Sequence, residues 1–564
     1  LKKIPIGISD FKKIIENSYY YIDKSLLVKD ILDIGSETIL IPRPRRFGKT
    51  LNISMLKYYF EKSEKDYSYL FKELLIWKEE EYQKHQGRYP VIFLTFKDVN
   101  SSNFELCYEH LKEVIAHEYK RHDYLLKSDS IDEIEKNIYI NIMSYTATQS
   151  NYENSIKNLS QYLSKYHNEN VIILIDEYDT PVQQGFLRGY YNDIIDFMRN
   201  LLSGALKDND NLERGILTGI LRVAKESIFT GLNNFEVYSI LKHEFSSYFG
   251  LLEKEVEDML KYYEIAFTAE DIKSWYNGYI FGESVIYNPW SMLKFVKDHK
   301  YGLIPHWINT SSNSLVKKLI IAGGQRFKSD IEKLIKGESV EKVIDDNIVF
   351  GDLDNNVEAV WSFLLFTGYL KVIGKKIKNK RLWCELKIPN LEVEYFYEET
   401  IMEWFKGSTT NEKMEEMLEG LINGDIMTFE YYFKQFVINT MSYFDPTGEE
   451  PERVYQAFVL GMLVNLSEDY YAKSNRESGL GRYDVALIPR EIEKGQKGII
   501  FELKKVNPVT KETIEETLAI AMQQMDRKKY DVELIDAGLK REDIIKIAVA
   551  LEGKEVLMNY KALT

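Results

Sequence analysis

The sequence predicts an α/β protein of several domains: an N-terminal sheet with helices on both faces, a helical and winged-helix-like middle, and a C-terminal α/β domain. Three observations carry this expectation. The chain has 564 residues, more than one hydrophobic core organises. Its first half alternates short apolar runs with amphipathic stretches, the pattern of a mostly parallel sheet. Its last part carries two strand-like runs followed by a long amphipathic helix.

Along the chain, ETILIPRP, YPVIFLTF, NVIILIDEYD and RGILTGILRV read as strands, with SMLKYYFEK and longer helical segments between them. These fill a first domain over residues 1–235. Residues 236–345 turn mainly helical, with WYNGYIFGESVIYNPWSMLKF as an aromatic-rich connection, and are expected to form a lid or accessory region. In 346–400 the helix-like EAVWSFLLFTGYL precedes LKVIGKK and LWCELKIPN around the polar turn IKNKR, the order of a winged-helix-like unit. Its hairpin carries Lys375, Lys376, Lys378, Lys380 and Arg381; it reads first as a solvated tip, with a nucleic-acid wing as the alternative. Residues 401–450 read as a helical connector, and PERVYQAFVLGMLVNL opens a last domain over 451–564.

Composition narrows the function classes. Hydrophobic residues make up 45% and charged residues 29%, with 12 prolines and 31 glycines, a globular balance. Two cysteines far apart, Cys107 and Cys384, give no disulfide framework, so a reducing cytoplasm is expected. No apolar stretch is long enough to span a bilayer, and LKKIPIGISDF lacks the apolar core of a signal peptide. A formal charge of -15 argues against unspecific coating of nucleic acid, so any such contact needs a local basic surface.

The segment ILIPRPRRFGKTLNISMLKYYF joins an apolar strand, a polar loop ending in Gly48, Lys49 and Thr50, and an amphipathic helix. A P-loop needs this context: backbone amides and the helix N-terminus cradle phosphates, Lys49 reaches the β and γ phosphates, and Thr50 ligates magnesium. Arg43 stands where the usual first glycine would be, and a GKT triplet alone is common. A second motif strengthens it. NVIILIDEYDTP ends an apolar strand at Asp176 and Glu177, where open α/β sheets bind ligands. Asp176 is then expected to hold magnesium and Glu177 to orient or deprotonate the attacking water. Arg222, with Thr218, follows a further strand and suits a sensor or in-cis arginine, though a surface arginine fits as well. Arg45 and Arg46 add charge to the phosphate pocket.

Near the C-terminus, SNRESGLGRYDVALIPREIEKGQKGIIFELKKV reads as a strand with Asp484, a turn, and a strand with Glu502 and Lys504. Alternation along a strand puts Glu502 and Lys504 on one side and Phe501 and Leu503 on the other, toward the core. Asp484, Glu502 and the Leu503 carbonyl then form a hard-oxygen set for magnesium or manganese, with Lys504 to orient water and steady phosphate charge. Asp484 and Lys504 are expected at the open edge of the sheet rather than in its core. Glu477 in the NRESG loop is a further candidate ligand. The following helix, ETIEETLAIAMQQMDRKKY, carries Gln524 and ends in Arg527, Lys528 and Lys529, cations that suit a helix C-terminus or a phosphate backbone.

In ordered series, YYYIDKS, RPRRFGKT, IDEYDTP, ILTGILRVAKESIFTGLNN, WYNGYIFG, YNPWS, FTGYL, IPNLEV, NRESGLGRYD, FELKK and AMQQMDRKKY run over nearly the whole chain. The chain thereby resembles the bacterial AAA-ATPase-like proteins with a C-terminal PD-(D/E)XK nuclease-superfamily domain. The resemblance implies a P-loop NTPase sheet followed by a restriction-endonuclease-like domain, ATP and a divalent metal as cofactors, and nucleic acid, DNA first, as partner. A homo-oligomer is compatible with it. It lays the nuclease motif on Asp484, Glu502 and Lys504, with Glu477 and Gln524 as accessory positions, and it makes Arg43 an ordinary feature of the loop.

Two functions are therefore expected to compete. In the first, ATP binding or hydrolysis gates metal-dependent cleavage of nucleic acid. In the second, nucleotide state controls binding of a partner without any cleavage.

Overall fold

The computed structural model of the protein describes residues 1–563 apart from 208, 223–234, 308–312, 324, 336, 354–355, 407–410, 445–465, 467–468, 475–476, 479–480, 483, 493–495, 507–511 and 553–554. Its residues form two compact units, Leu1–Leu315 with Glu341–Val393 and Val316–Val340 with Glu394–Thr564. The five segments bounded from sequence do not coincide with these units. The aromatic connection and the winged-helix-like hairpin cluster with the N-terminal sheet, because packing between distant segments decides compactness and composition does not report it. The expected opening of the last domain, PERVYQAFVLGMLVNL, lies outside the described residues except for Leu466.

In the first unit, β1 (Thr38–Pro42), β2 (Val91–Thr95), β3 (Val171–Asp176), β4 (Leu212–Gly219) and β5 (Phe235–Val237) form a sheet in the order β2-β3-β4-β1-β5 with every pairing parallel. Every residue of β1 and β3 is buried. Strands covered on both faces need no polar alternation, which is why ILIP and VIILI read as continuous apolar runs. Helix Lys49–Phe60 leaves β1, and helices Thr180–Arg188 and Tyr191–Leu206 link β3 to β4. The register sets Pro42 beside Gly219 and Ile175 beside Leu217. The C-terminal ends of β1, β3 and β4 are thus level, the position where open parallel sheets bind ligands.

Residues 236–345 are largely helical, but the aromatic connection contains a strand pair, β6 (Tyr279–Phe281) and β7 (Ser284–Ile286), which is antiparallel. Tyr279 and Phe281 are buried and pack on Phe47 with ring centroids 4.9 and 5.1 Å away. This pair buttresses the polar loop after β1. Further on, β8 (Val340–Val343), β9 (Lys371–Lys378) and β10 (Arg381–Lys387) form a sheet in the order β8-β10-β9, behind helix Val357–Phe366. The β9–β10 turn has Asn379 and Lys380 at φ 52 and 63, the two-residue turn that matches strand twist. Its basic residues are exposed; Lys376 pairs with Glu341, and Arg381 with Glu358 at 3.3 Å.

In the second unit, β11 (Tyr470–Ser474), β12 (Glu477–Ser478), β13 (Gly481–Arg482), β14 (Val485–Pro489), β15 (Gly498–Lys505), β16 (Ile544–Glu552) and β17 (Glu555–Ala562) follow the helical connector. The main sheet runs β11-β14-β15-β16-β17, with β15 and β16 parallel and the other pairs antiparallel. Parallel strands need a crossover, here helix Ile514–Arg527, which starts at a Thr513 and Glu516 capping box. Its buried residues, Ile514, Thr517, Ala521 and Met525, recur every three or four positions, a single apolar stripe. Ala521 and Met525 share a core with Ala486, Ile488 and Ile500 of the sheet. Both cysteines are buried and reduced. Among the described residues, no helix is long and apolar enough to cross a membrane.

Candidate functional site

The loop between β1 and helix Lys49–Phe60 turns through left-handed backbone at Arg46 (φ 71) and Gly48 (φ 84), a region glycine enters freely and other residues only under constraint. Lys49 follows at the first helical position and is 4% exposed. Its Nζ donates to the main-chain oxygens of Arg43 and Pro44 at 3.1 and 3.0 Å. Burial pulls the ammonium below its usual range, while Glu177, Asp176 and Asp179 oppose that shift.

At the end of β3, Asp176 is fully buried and receives hydroxyl bonds from Thr50 and Thr218, both at 2.8 Å. One carboxylate thus joins the ends of β3 and β4 to the first turn of helix Lys49–Phe60. Burial lifts the Asp176 carboxyl above its usual range and the neighbouring Glu177 adds to the rise, while the two hydroxyls oppose it. Glu177 leaves the strand in left-handed backbone (φ 51) and stands half-buried on the wall of a cavity of about 470 Å³. Arg45, Arg46, Gly48, Lys49 and Thr50 line the same cavity.

Two arginines sit elsewhere than the motif suggests. Arg43, at the position of the usual glycine, is fully buried and turned away from the cavity. Its guanidinium donates to the carbonyls of Pro42 and Tyr238 and lies over the rings of Phe249 and Phe281. It braces the loop from behind. Arg222 is also off the cavity wall: its Nη1 donates to Asn347 Oδ1. This bond engages Arg222 with the segment before helix Val357–Phe366. Arg45 donates to Gln183 at 2.8 Å, and the Arg46 guanidinium lies over the Trp290 ring, 4.2 Å from its centroid.

The second constellation is built by strand pairing. Val485 of β14 faces Phe501 of β15, so Asp484 comes level with Glu502. Asp484 Oδ2 accepts the amide of Leu503 at 2.7 Å, which fixes the carboxylate against the peptide preceding Lys504. Phe501 and Leu503 are fully buried, and Lys504 Nζ lies 3.6 Å from Glu502 Oε1. Gln524 Nε2, from the crossover helix, donates to Glu502 Oε1 and to the Tyr530 hydroxyl.

Asp484 and Lys504, expected at the open edge, are half-buried, the first just before β14 and the second on β15, both inner strands of the five. Glu502 is 2% exposed on β15, the middle strand of five. The helix that supplies Gln524 covers that face, a long-range packing that strand alternation does not reveal. Glu477 begins β12, with Arg482 as its register partner; most of the surrounding NRESG loop lies outside the described residues. Among the described residues, no three His, Cys, Asp or Glu side chains cluster as a metal group.

Several contributors escaped the sequence reading. Asp179 is 2% exposed and accepts the amides of Ile220 and Leu221 at 2.8 and 3.0 Å, while Tyr178 donates to the Leu221 carbonyl. These two residues pin the exit of β4 to the end of β3. A Cβ at Gly219 would lie 2.6 Å from Asp179 Oδ1, so the close approach requires glycine. Tyr530 joins the second site from beyond the helix; burial raises its phenol, with Glu502 and Asp484 adding to the rise and Gln524 opposing it. The signal was present in IDEYD and DRKKY, but the partners come from segments whose proximity only folding creates.

Comparisons with known proteins bear on the two domains that carry these residues. Residues 5–229 match the family described as "Predicted AAA-ATPase", and residues 450–561 match the "PD-(D/E)XK nuclease superfamily". The chain is also 26% identical over 404 residues to an "Uncharacterized protein in vnfD 5'region" of Azotobacter chroococcum mcd 1, an alignment covering 71% of this chain and 70% of that protein. The chain thus carries an AAA-ATPase-like domain over residues 5–229 and a PD-(D/E)XK nuclease-superfamily domain over residues 450–561.

Proposed function

We propose that the protein binds and hydrolyses ATP at the cavity beside Lys49 and cleaves nucleic acid, DNA first, at Asp484, Glu502 and Lys504, with nucleotide state gating the cleavage. The observation that carries the first half is the single buried carboxylate of Asp176 bound by both Thr50 and Thr218. Magnesium bound with ATP supplies charge neutralisation between the phosphates. Thr50 and Asp176 are the oxygen donors that would hold it. Lys49, now bonded to loop carbonyls, exchanges those bonds for the β and γ phosphates, and Arg45 and Arg46 add positive charge. Glu177, on the cavity wall beyond Asp176, takes the position of the group that orients water and accepts its proton.

At the second site, the donor set of Asp484, Glu502 and the Leu503 carbonyl is hard oxygen throughout and suits magnesium or manganese. A bound metal supplies Lewis acidity toward the scissile phosphate. Gln524 fixes the rotamer of Glu502, and the Leu503 amide fixes that of Asp484. Lys504 holds its ammonium beside Glu502, positioned to orient water and to stabilise charge on the phosphate. Glu477 is an additional oxygen donor in this reading.

The test incubates the purified chain with supercoiled, linear and single-stranded DNA and with RNA, in magnesium or manganese, with and without ATP. Cleavage by wild type and not by Lys504→Ala is expected, with its rate dependent on ATP. Absence of cleavage under every condition would leave a nucleotide-controlled binding switch as the better account. Cleavage indifferent to ATP and to Lys49→Ala would remove the gating.

A further inference from the structure

The cavity beside Lys49 is mixed in character. It is lined by the cations Arg45, Arg46, Lys49 and Lys97 and also by the apolar Pro5, Ile8, Pro289, Trp290 and Leu293. A volume of about 470 Å³ lies in the range of small-molecule sites with an apolar body and a few polar anchors. A nucleotide has this same division, a charged tail and a flat apolar ring.

Trp290 is held firmly. It lies at the start of helix Pro289–Asp298, whose cap Asn288 is fully buried and accepts the amides of Trp290 and Ser291 at 2.9 and 3.2 Å. Ser291 Oγ donates at 2.7 Å to Glu392, a fully buried carboxylate that also accepts the amides of His306 and Trp307. A tryptophan on such a clamped first turn presents its ring in one orientation. Its indole Nε1 is buried and finds no hydrogen-bond acceptor among the described residues. Buried indole N–H groups ordinarily have an acceptor. The ring also carries the exposed Arg46 as a stacked cation, so one of its faces already serves as a platform for a planar group.

Building on the ATP-site reading, we infer that Trp290 forms the nucleobase subsite of this cavity, stacking a purine on its ring face. Arg46 leaves the indole when the base arrives and turns to the phosphates, so base recognition and phosphate charge are coupled through one side chain. A bicyclic base covers the bicyclic indole more fully than a pyrimidine, which makes Trp290 a specificity-determining residue.

Calorimetry with ATP, CTP and inorganic tripolyphosphate tests this on the full chain and on Trp290→Ala, Trp290→Phe and Lys49→Ala. Removing a stacking aromatic weakens binding on the order of tenfold to a hundredfold. The expected result is that loss for ATP in Trp290→Ala, tripolyphosphate affinity there no weaker than in wild type, and most of the ATP affinity restored in Trp290→Phe. Wild type should bind ATP more tightly than CTP. Unchanged ATP affinity in Trp290→Ala, equal loss of ATP and tripolyphosphate in both tryptophan variants, or CTP binding as tight as ATP would overturn the subsite. Lys49→Ala reports separately: if it leaves tripolyphosphate affinity intact, the phosphate-site reading fails instead.

Discussion

The two constellations use carboxylates in opposite ways. In the first, Asp176 is immobilised by side-chain hydroxyls: Thr218 at the end of a neighbouring parallel strand and Thr50 in the first turn of the helix that follows β1. In the second, Asp484 is immobilised by a backbone amide, that of Leu503, across an antiparallel strand pair. The first site can therefore be retuned one side chain at a time. The second is written into the register, and a shift of one residue would turn Glu502 and Lys504 to the opposite face.

The largest effects are expected where charge meets the reacting phosphate. Asp484→Ala and Lys504→Ala should each lower cleavage by about 10²- to 10³-fold, by analogy with loss of one transition-state donor. They should separate under metal titration: Asp484→Ala loses a ligand and is partly rescued by excess manganese, whereas Lys504→Ala retains metal affinity. Identical metal curves would erase the distinction. Because Glu502 lies in the middle of the sheet, circular dichroism of each variant must accompany the rates.

At the first site, Lys49→Ala should abolish tight ATP binding, since amides alone do not replace the buried ammonium. Glu177→Gln should retain ATP and lose hydrolysis; turnover at the wild-type rate would exclude Glu177 as the group that orients water. These two variants break nucleotide binding from chemistry, as Asp484→Ala and Lys504→Ala break metal binding from chemistry at the second site.

A smaller effect concerns Glu392, which supports Trp290 through Ser291. Burial pushes its carboxyl up to about 7 despite the donors from Trp307, Ser291 and His306. A carboxyl raised on folding contributes stability that is complete below its unfolded value and fades as pH climbs through the folded one. Between roughly pH 4.5 and 7, wild type should lose about 3 kcal/mol from this group. Denaturant midpoints across that window should slope downward for wild type and flatten in Glu392→Gln. Parallel slopes would mean that Glu392 titrates normally.

The smallest change expected is in Thr218→Ala. One bond to a buried carboxylate disappears while Thr50 and, at 3.5 Å, Thr95 retain theirs, and hydrogen bonds to charged groups contribute about 2 kcal/mol. Thermal unfolding should register that loss. Asp176 should also ionise at higher pH, because the missing hydroxyl favours the charged form. A melting temperature equal to wild type would show that the two hydroxyls are redundant.

Local spacing by itself determined much of this protein. The runs ILIP and VIILI, Gly48 before Lys49, and acids at the end of β3 are legible because strand burial, left-handed backbone and helix starts are properties of adjacent residues. Alternation likewise paired Glu502 with Lys504 on one side of β15. Tertiary structure decided what distance along the chain conceals. It turned Arg43 inward onto aromatic rings, carried Arg222 to Asn347, covered Glu502 with the helix bearing Gln524, and brought Trp290 over Arg46. Those outcomes depend on which desolvated group finds which partner after the chain has closed long loops, and no periodicity in the sequence encodes that choice.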